Sequence, residues 1–386
     1  MRIAHLPLHG GKAPPWLVSR MIALAKPIVR LISEEYGTKV LLERLSDPFW
    51  FQALGCALGY DWHSSGVTTV LTAVLRQAIN RQNLGIRVCG GKGKKSTGTP
   101  NEIEEKGDEL GLPENLIREL KLASRLAAKV DNSAVQDGYI LYHHAIFFDE
   151  KGNWVIIQQG MNPILKYARR YHWFSLPLSE FIKEPHKGII SERKERYVLN
   201  MVSRRSIDLQ KTLRDISLEN PIKVKREFNK ALALIKMMRE KSRPLTDYMK
   251  IESGESFHIN PEKYFSYKEL YMPRTIDWEK IKMIYEFKPK SFRELLLIKG
   301  LGARTLRALT LIAELIYGTP ADWSDPVKYS FAFGGKDGVP FPVDKKSMDE
   351  AINFMANIVS ALDIESKRKR EILRRLGLKQ HRELRW

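Results

Sequence analysis

Asp131, Asp137, His143 and His144 lie close together in the chain, with Gln136, Asp149, Gln158, Gln159 and His172 nearby. Carboxylates and imidazoles that converge on one point can hold a divalent cation. Such a cation activates water and neutralises a leaving oxygen. This chemistry makes Asp131, Asp137 and His143 or His144 a candidate catalytic set for phosphodiester hydrolysis. Asp131, Asp137 and His144 would be ligands of Mg²⁺ or Mn²⁺. The element that positions the histidines is readable. Residues 139–148 and 154–159 are aromatic and β-branched runs around the turn Asp149-Glu150-Lys151-Gly152-Asn153, which predicts a β-hairpin. With the turn centred near Lys151, His144 faces Gln158 and His143 faces Gln159. The pleat sends the two histidines to opposite faces, so one regular strand face cannot supply both as ligands.

A second kind of chemistry is written at residues 292–318, FRELLLIKGLGARTLRALTLIAELIYG. A helix is expected to end at Ile298-Lys299, and Gly300-Leu301-Gly302 to form a tight bend. A longer helix then runs over residues 303–317, with Leu306, Leu309, Ile312, Ala313 and Ile316 on its apolar side. Glycines admit backbone conformations closed to other residues and let a phosphate approach the main chain. Free amides at the start of the second helix would bind that phosphate. Lys299, Arg304 and Arg307 add charge, and Thr305 lies in the first turn. The segment resembles the helix-hairpin-helix motif of DNA repair and recombination proteins. That resemblance implies backbone contacts to DNA, which position a protein without reading sequence.

The likeness extends to helix-hairpin-helix DNA glycosylases. In that family a Gly-x-Pro turn follows the second helix, and an aspartate follows the glycine by seven residues. Here Gly318-Thr319-Pro320 precedes Asp325 at that spacing. By resemblance Asp325 is an alternative catalytic carboxylate; by local reading it is a helix cap before Pro326. Arg304 occupies the position of the family's Schiff-base lysine, and an arginine cannot be that nucleophile. The resemblance therefore allows only a monofunctional glycosylase or a derived binding scaffold.

The chain carries 64 Lys and Arg against 45 Asp and Glu, a formal charge of +19 over 386 residues. A polyanion is the expected partner, and DNA, duplex or junction, is the leading one, alone or in a repair complex with a protein partner. The loop Cys89-Gly90-Gly91-Lys92-Gly93-Lys94-Lys95-Ser96-Thr97 departs from a nucleotide-binding phosphate loop, because Lys95 separates Gly93-Lys94 from Ser96. Lys92, Lys94 and Lys95 are instead expected to touch phosphates. Arg169 and Arg170, beside Tyr171, His172 and Trp173, interleave charge with aromatic rings, which reads either as a surface for base stacking and phosphate contact or as a helix end with packed aromatics. Residues 367–385 hold nine Lys and Arg against two Glu, read either as a solvated helix or as an arm on DNA.

No apolar run is long enough to span a bilayer, so no membrane partner is expected. The opening MRIAHLPLHGGKAPPWL lacks the features of a secretory signal. With only Cys56 and Cys89, no disulfide framework arises, and a cytoplasmic location is expected.

Several segments (LPLHGGKAPPWL, SGVTT, VDNSAVQDGY, YHHAIFFDE, QQGMN, ARRYHW and FAFGGKDG) resemble one archaeal and bacterial family labelled only as a domain of unknown function. The resemblance implies a shared fold and brings no activity with it. The expected fold is α+β and mostly helical. Residues 1–176 form an α/β unit with the hairpin and the polar site. Residues 177–275 form a basic helical region and connector, with 16 Lys and Arg against 7 Asp and Glu over positions 187–243. Residues 276–386 form an all-α DNA-binding domain with a basic tail. The functions in view are a metal-dependent DNA nuclease, a monofunctional glycosylase, and a non-catalytic DNA-binding or partner-recruiting protein.

Overall fold

Proline opens the first helix. Its fixed φ suits the first helical position, where the missing N–H costs nothing. Helix α1 (Pro15–Glu35) then buries Met21, Leu24, Ala25, Ile28, Val29 and Ile32, a stripe at helical spacing. Helices α2 (Thr38–Ser46), α3 (Pro48–Ala57) and α4 (Gly66–Ile79) complete an N-terminal helical layer. Asp47 caps α3 through Oδ1, which accepts from the amides of Phe49 at 2.7 Å and Trp50 at 3.2 Å.

The computed structural model describes residues 13–60, 65–176, 178, 180–191, 193–239 and 273–328, with isolated positions at 357, 360, 361 and 367. Most of the expected connector, the glycine turn at 334–338 and nearly all of the basic stretch 367–385 lie outside the described residues.

The helical layer covers one face of an antiparallel sheet. Its strands are β1 (Ile86–Lys92), β3 (Ile140–Asp149), β4 (Trp154–Asn162), β5 (Tyr167–Phe174) and β6 (His186–Ser191), in the order β1-β3-β4-β5-β6. Short strands β2 (Val135–Gln136) and β7 (Leu199–Asn200) pair separately. The β3–β4 register sets His144 opposite Gln158 and His143 opposite Gln159, as the turn position predicts. Strand alternation divides the core. Ala145 and Phe147 pack on the N-terminal helices, while Ile146 and Phe148 pack on the opposite layer.

That opposite layer contains α7 (Glu114–Lys129), α8 (Ile207–Ser217), α9 (Pro221–Arg239), α10 (Trp278–Phe287), α11 (Phe292–Leu297) and α12 (Ala303–Tyr317). Helices α5 (Lys94–Thr97) and α6 (Thr99–Glu109) link β1 to α7. One apolar core joins Ile117 and Leu120 of α7, Trp173 of β5, Leu213 of α8 and Leu309 of α12. It crosses both boundaries expected from the sequence, at 176/177 and at 275/276. The fold is α+β and mostly helical.

Two strands depart from expectation. Residues from 178 onward were expected to be helical, yet His186–Ser191 is an edge strand and the helices begin only after Val202. The β-branched Ile189 and Ile190, both fully buried, account for it. Arg169-Arg170-Tyr171-His172-Trp173 lies within β5, between β4 and β6, with both faces covered.

Candidate functional site

Helix α7 continues past Lys129 into a single π-turn, Val130–Ala134. Such widened turns recur at functional sites because they re-aim side chains. This one buries Asp131 completely and leaves Asn132 exposed. Asp131 Oδ2 accepts from Gln158 Nε2 at 2.5 Å and Trp173 Nε1 at 2.9 Å. Asp131 Oδ1 is 2.5 Å from His186 Nε2.

These contacts assign the protons outward from Asp131. Gln158 Nε2 donates to Asp131 Oδ2, so the Gln158 amide group points at Asp131 and its carbonyl at His144. His144 Nδ1 must then carry hydrogen, donating to Gln158 Oε1 at 2.8 Å. Its Nε2 is left as a lone pair that receives the Ser124 hydroxyl, with Oγ 2.8 Å away. Burial holds His144 below the usual imidazole range, against the opposing pull of Gln158 and Asp131. His144 is therefore neutral at neutral pH, and its free nitrogen rests on a serine hydroxyl.

His143 faces the N-terminal helices, as the pleat requires. Thr72 gives its hydroxyl hydrogen to Thr68 O at 2.8 Å, so it accepts from His143 Nε2 at 3.0 Å. His143 Nδ1 is a buried atom with no hydrogen-bond partner among the described residues. Burial, with His144 and Lys92 nearby, pushes this histidine down to about 3. His172, on β5, meets Phe51 edge-on at 5.4 Å between ring centroids, and burial also lowers its pKa.

Asp137 belongs to a different constellation. Arg169 Nη1 donates to Asp137 Oδ2 at 2.9 Å and to Asp325 Oδ1 at 3.1 Å, and Nη2 donates to Asp325 Oδ2 at 2.8 Å. The guanidinium lies 4.5 Å from the centroid of the Tyr139 ring. Tyr171 OH donates to Asp137 at 2.6 Å. Burial raises the Asp137 carboxyl, with Arg169 opposing. Asp325 also accepts from the amides of Glu195 at 2.6 Å and Val327 at 3.0 Å. Asp131, beside His186, and Asp137, beside Arg169 and Tyr171, thus hold separate partners and do not converge with His143 or His144 on one point. Among the described residues no group of three or more His, Cys, Asp or Glu side chains is arranged to hold a metal ion.

The buried arginines correct a sequence expectation. Arg169 is 0% exposed and Arg170 1%. Arg170 donates to Gln52 Oε1 at 3.1 Å and lies 4.8 Å from the centroid of the Phe51 ring. Guanidinium groups enclosed in this way cannot reach an external phosphate, so both leave the DNA-contact set. Asp325 does not cap a described helix at Pro326. It anchors Arg169 and the chain at Glu195 and Val327.

Ser124, His143, His144 and Gln158 line a pocket of about 380 Å³. Ser96 and Thr97, from the basic glycine loop, border it, as do Arg125, Lys129 and Asn132. Among the described residues its lining includes two cations and no carboxylate. Lys92, Lys94 and Lys95 are exposed.

Arg125 and Lys129 also hold the glycine bend between α11 and α12. Lys129 Nζ donates to Leu301 O at 2.6 Å and to Ile298 O at 3.4 Å, and Arg125 Nη2 donates to Leu297 O at 2.7 Å. Burial and the neighbouring Arg125 lower the Lys129 pKa. Gln136 Nε2 donates to Ala303 O at 2.8 Å, and Gln136 Oε1 accepts from Arg307 Nε at 2.6 Å. The bend closes through Leu301 N to Ile298 O at 3.2 Å, with Gly300 at φ +84°. Its carbonyls are turned inward. Among the described residues, the amides of Gly302, Ala303 and Arg304 meet no protein acceptor. Lys299, Gly300 and Arg304 are exposed, while Leu301 and Thr305 are buried. Arg307 is half-buried against Gln136.

Ser124, Lys129 and His186 escaped the sequence reading. Ser124 carried a signal: it shares the buried stripe of α7 with Ile117, Leu120 and Ala127. A hydroxyl on such a stripe needs a partner.

No curated protein and no solved structure matches the chain. One family profile matches residues 2–343. The chain belongs to that family, described as Protein of unknown function (DUF763).

Proposed function

We propose that the protein binds duplex or junction DNA through the sugar-phosphate backbone, in repair or recombination, and that phosphodiester chemistry takes place beside the bound strand. The observation that carries this reading is the bend itself. Its carbonyls are engaged by Lys129, Arg125 and Gln136, while the amides at the start of α12 meet no acceptor among the described residues and lie next to Lys299 and Arg304. Open amides with the positive end of a helix form an anion site. The resemblance to a helix-hairpin-helix and the charge of +19 point the same way.

The pocket supports the chemical half of the reading. It adjoins the residues that hold the bend, and its cationic lining suits a phosphate ester. The metal-assisted form written from Asp131, Asp137 and His144 draws no support from these contacts, because the two carboxylates do not converge. The glycosylase alternative has its carboxylate, Asp325, tied to Arg169.

Fluorescence anisotropy of the full chain with labelled duplex and four-way junction, titrated at several salt concentrations, tests the binding. Tight association that weakens steeply with salt is expected, as each neutralised phosphate releases counterions. Absence of association at low salt overturns the reading.

A further inference from the structure

We propose that Ser124 is a nucleophile for phosphoryl transfer, with His144 as its general base and Gln158 and Asp131 as positioning residues. The substrate class, a phosphodiester of nucleic acid, rests on the DNA-binding reading above. The nucleophile itself rests only on the pocket.

The arrangement meets the geometric requirements for an activated hydroxyl. The nucleophile and base are 2.8 Å apart, and the base is oriented through its other nitrogen, 2.8 Å from Gln158 Oε1. Gln158 is itself held by Asp131, which Trp173 and His186 fix from the far side. Gln158 Nε2 and Trp173 Nε1 both donate to Asp131 Oδ2, which fixes the Gln158 carbonyl toward His144. The base nitrogen therefore has one available role, to accept the Ser124 proton. A serine within a helix commonly returns its hydroxyl to the preceding turn. Ser124 instead spends its hydrogen on His144 and lines the pocket. Two oxygen lone pairs remain for attack.

The substrate's charge follows from the walls. Arg125 and Lys129 lie one residue and five residues after Ser124, and the pocket lining among the described residues includes no carboxylate. An anionic phosphate is favoured over a neutral acyl ester. As Ser124 Oγ attacks phosphorus, its proton passes to His144 Nε2. The P–O bond to the leaving alcohol breaks, and His144 returns the proton to that oxygen. Water then gives a proton to His144 and attacks the phosphoserine. Ser124 leaves and regains its proton, so the net reaction is hydrolysis.

The test uses the full chain and bis(para-nitrophenyl) phosphate, a small substrate that does not need the bend. Wild-type protein should release para-nitrophenolate with an initial burst, and intact-mass and peptide mapping should place a phosphoryl adduct on Ser124. Ser124→Ala should lower turnover by roughly a hundredfold or more and abolish the adduct. His144→Gln should slow both steps. If Ser124→Ala fails to fold, adduct mapping on the wild type decides alone. No adduct on the wild type, an adduct on another residue, or unchanged turnover in folded Ser124→Ala overturns the proposal. DNA anisotropy of Ser124→Ala separates the two readings. Intact binding without an adduct removes the nucleophile and leaves the DNA reading, whereas an adduct without DNA binding does the reverse.

Discussion

Lys129 Nζ donates to the carbonyl of Leu301 across 2.6 Å, tying the end of α7 to the apex of the glycine bend. The same lysine borders the pocket that Ser124 and His144 line. One ammonium therefore joins the surface proposed to grip DNA to the pocket proposed to act on it. Hydrogen bonds from charged donors to partly buried carbonyls contribute about 1.5–3 kcal/mol.

Replacing Lys129 with Met removes that tie. Leu301 O loses the ammonium, Ile298 O keeps only the amide of Leu301, and the amides on the outer side lose their fixed direction. The dissociation constant for duplex DNA should rise about tenfold, or ~1.4 kcal/mol. Turnover of the small phosphodiester should change less. Equal binding by Lys129→Met and wild type would show that the ammonium does not organise the bend.

Arg304 is exposed at the start of α12, with Nη2 3.0 Å from Thr275 Oγ1. In Arg304→Ala the slope of log affinity against log salt should become shallower by about 0.9, the loss of one phosphate contact. The expected change is uniform across DNA sequences. An unchanged slope removes Arg304 from the interface.

Asp325 is expected to behave as an anchor. Asp325→Ala leaves Arg169 buried with half its charge compensation gone, a cost of about 3–5 kcal/mol. Urea unfolding should show that loss. A catalytic carboxylate would behave differently, with Asp325→Asn folding at wild-type stability and losing only base excision.

His143 makes stability pH-dependent. Its folded pKa is depressed from the ordinary 6.5 to about 3. Below 6.5 the unfolded chain binds the proton and the folded chain refuses it. The contribution is intact at neutral pH and declines as pH falls through that window, by ~2 kcal/mol at about pH 5. His143→Gln should flatten the dependence of the thermal midpoint on pH over that range. An equally steep profile in the variant would assign the acid sensitivity elsewhere.

The elements that could be read from the chain are those whose signals are local. The hairpin register followed from one turn and two runs of β-branched and aromatic residues, and α12 from its apolar stripe between two glycine signals. Strand β5 was obscured because both its faces are buried, so the alternation that marks a half-exposed strand is missing. Its arginines resembled a surface because their partners are remote in sequence. Asp325 lies 156 positions from Arg169, and Gln52 lies 118 from Arg170. The candidate site was legible in part. Asp131, His144 and Gln158 were singled out, but the π-turn that directs Asp131 inward has no local signature. Ser124 acquires meaning only when α7 lies across β3.

Gly302 tests the central claim most directly. It occupies the cap position of α12 with φ −127°, where any residue fits, and a Cβ there meets nothing within 4 Å. Asp at a cap accepts from the helix's first amides and stabilises it over Gly by a few tenths of a kcal/mol. A carboxylate in Gly302→Asp would therefore occupy the amides that the phosphate needs. The measurement is DNA affinity by anisotropy beside the thermal midpoint. The account predicts an equal or higher midpoint with affinity reduced by about tenfold or more, ~1.4 kcal/mol. Unchanged affinity in a fully folded Gly302→Asp would contradict it, because the amides would then bind no phosphate.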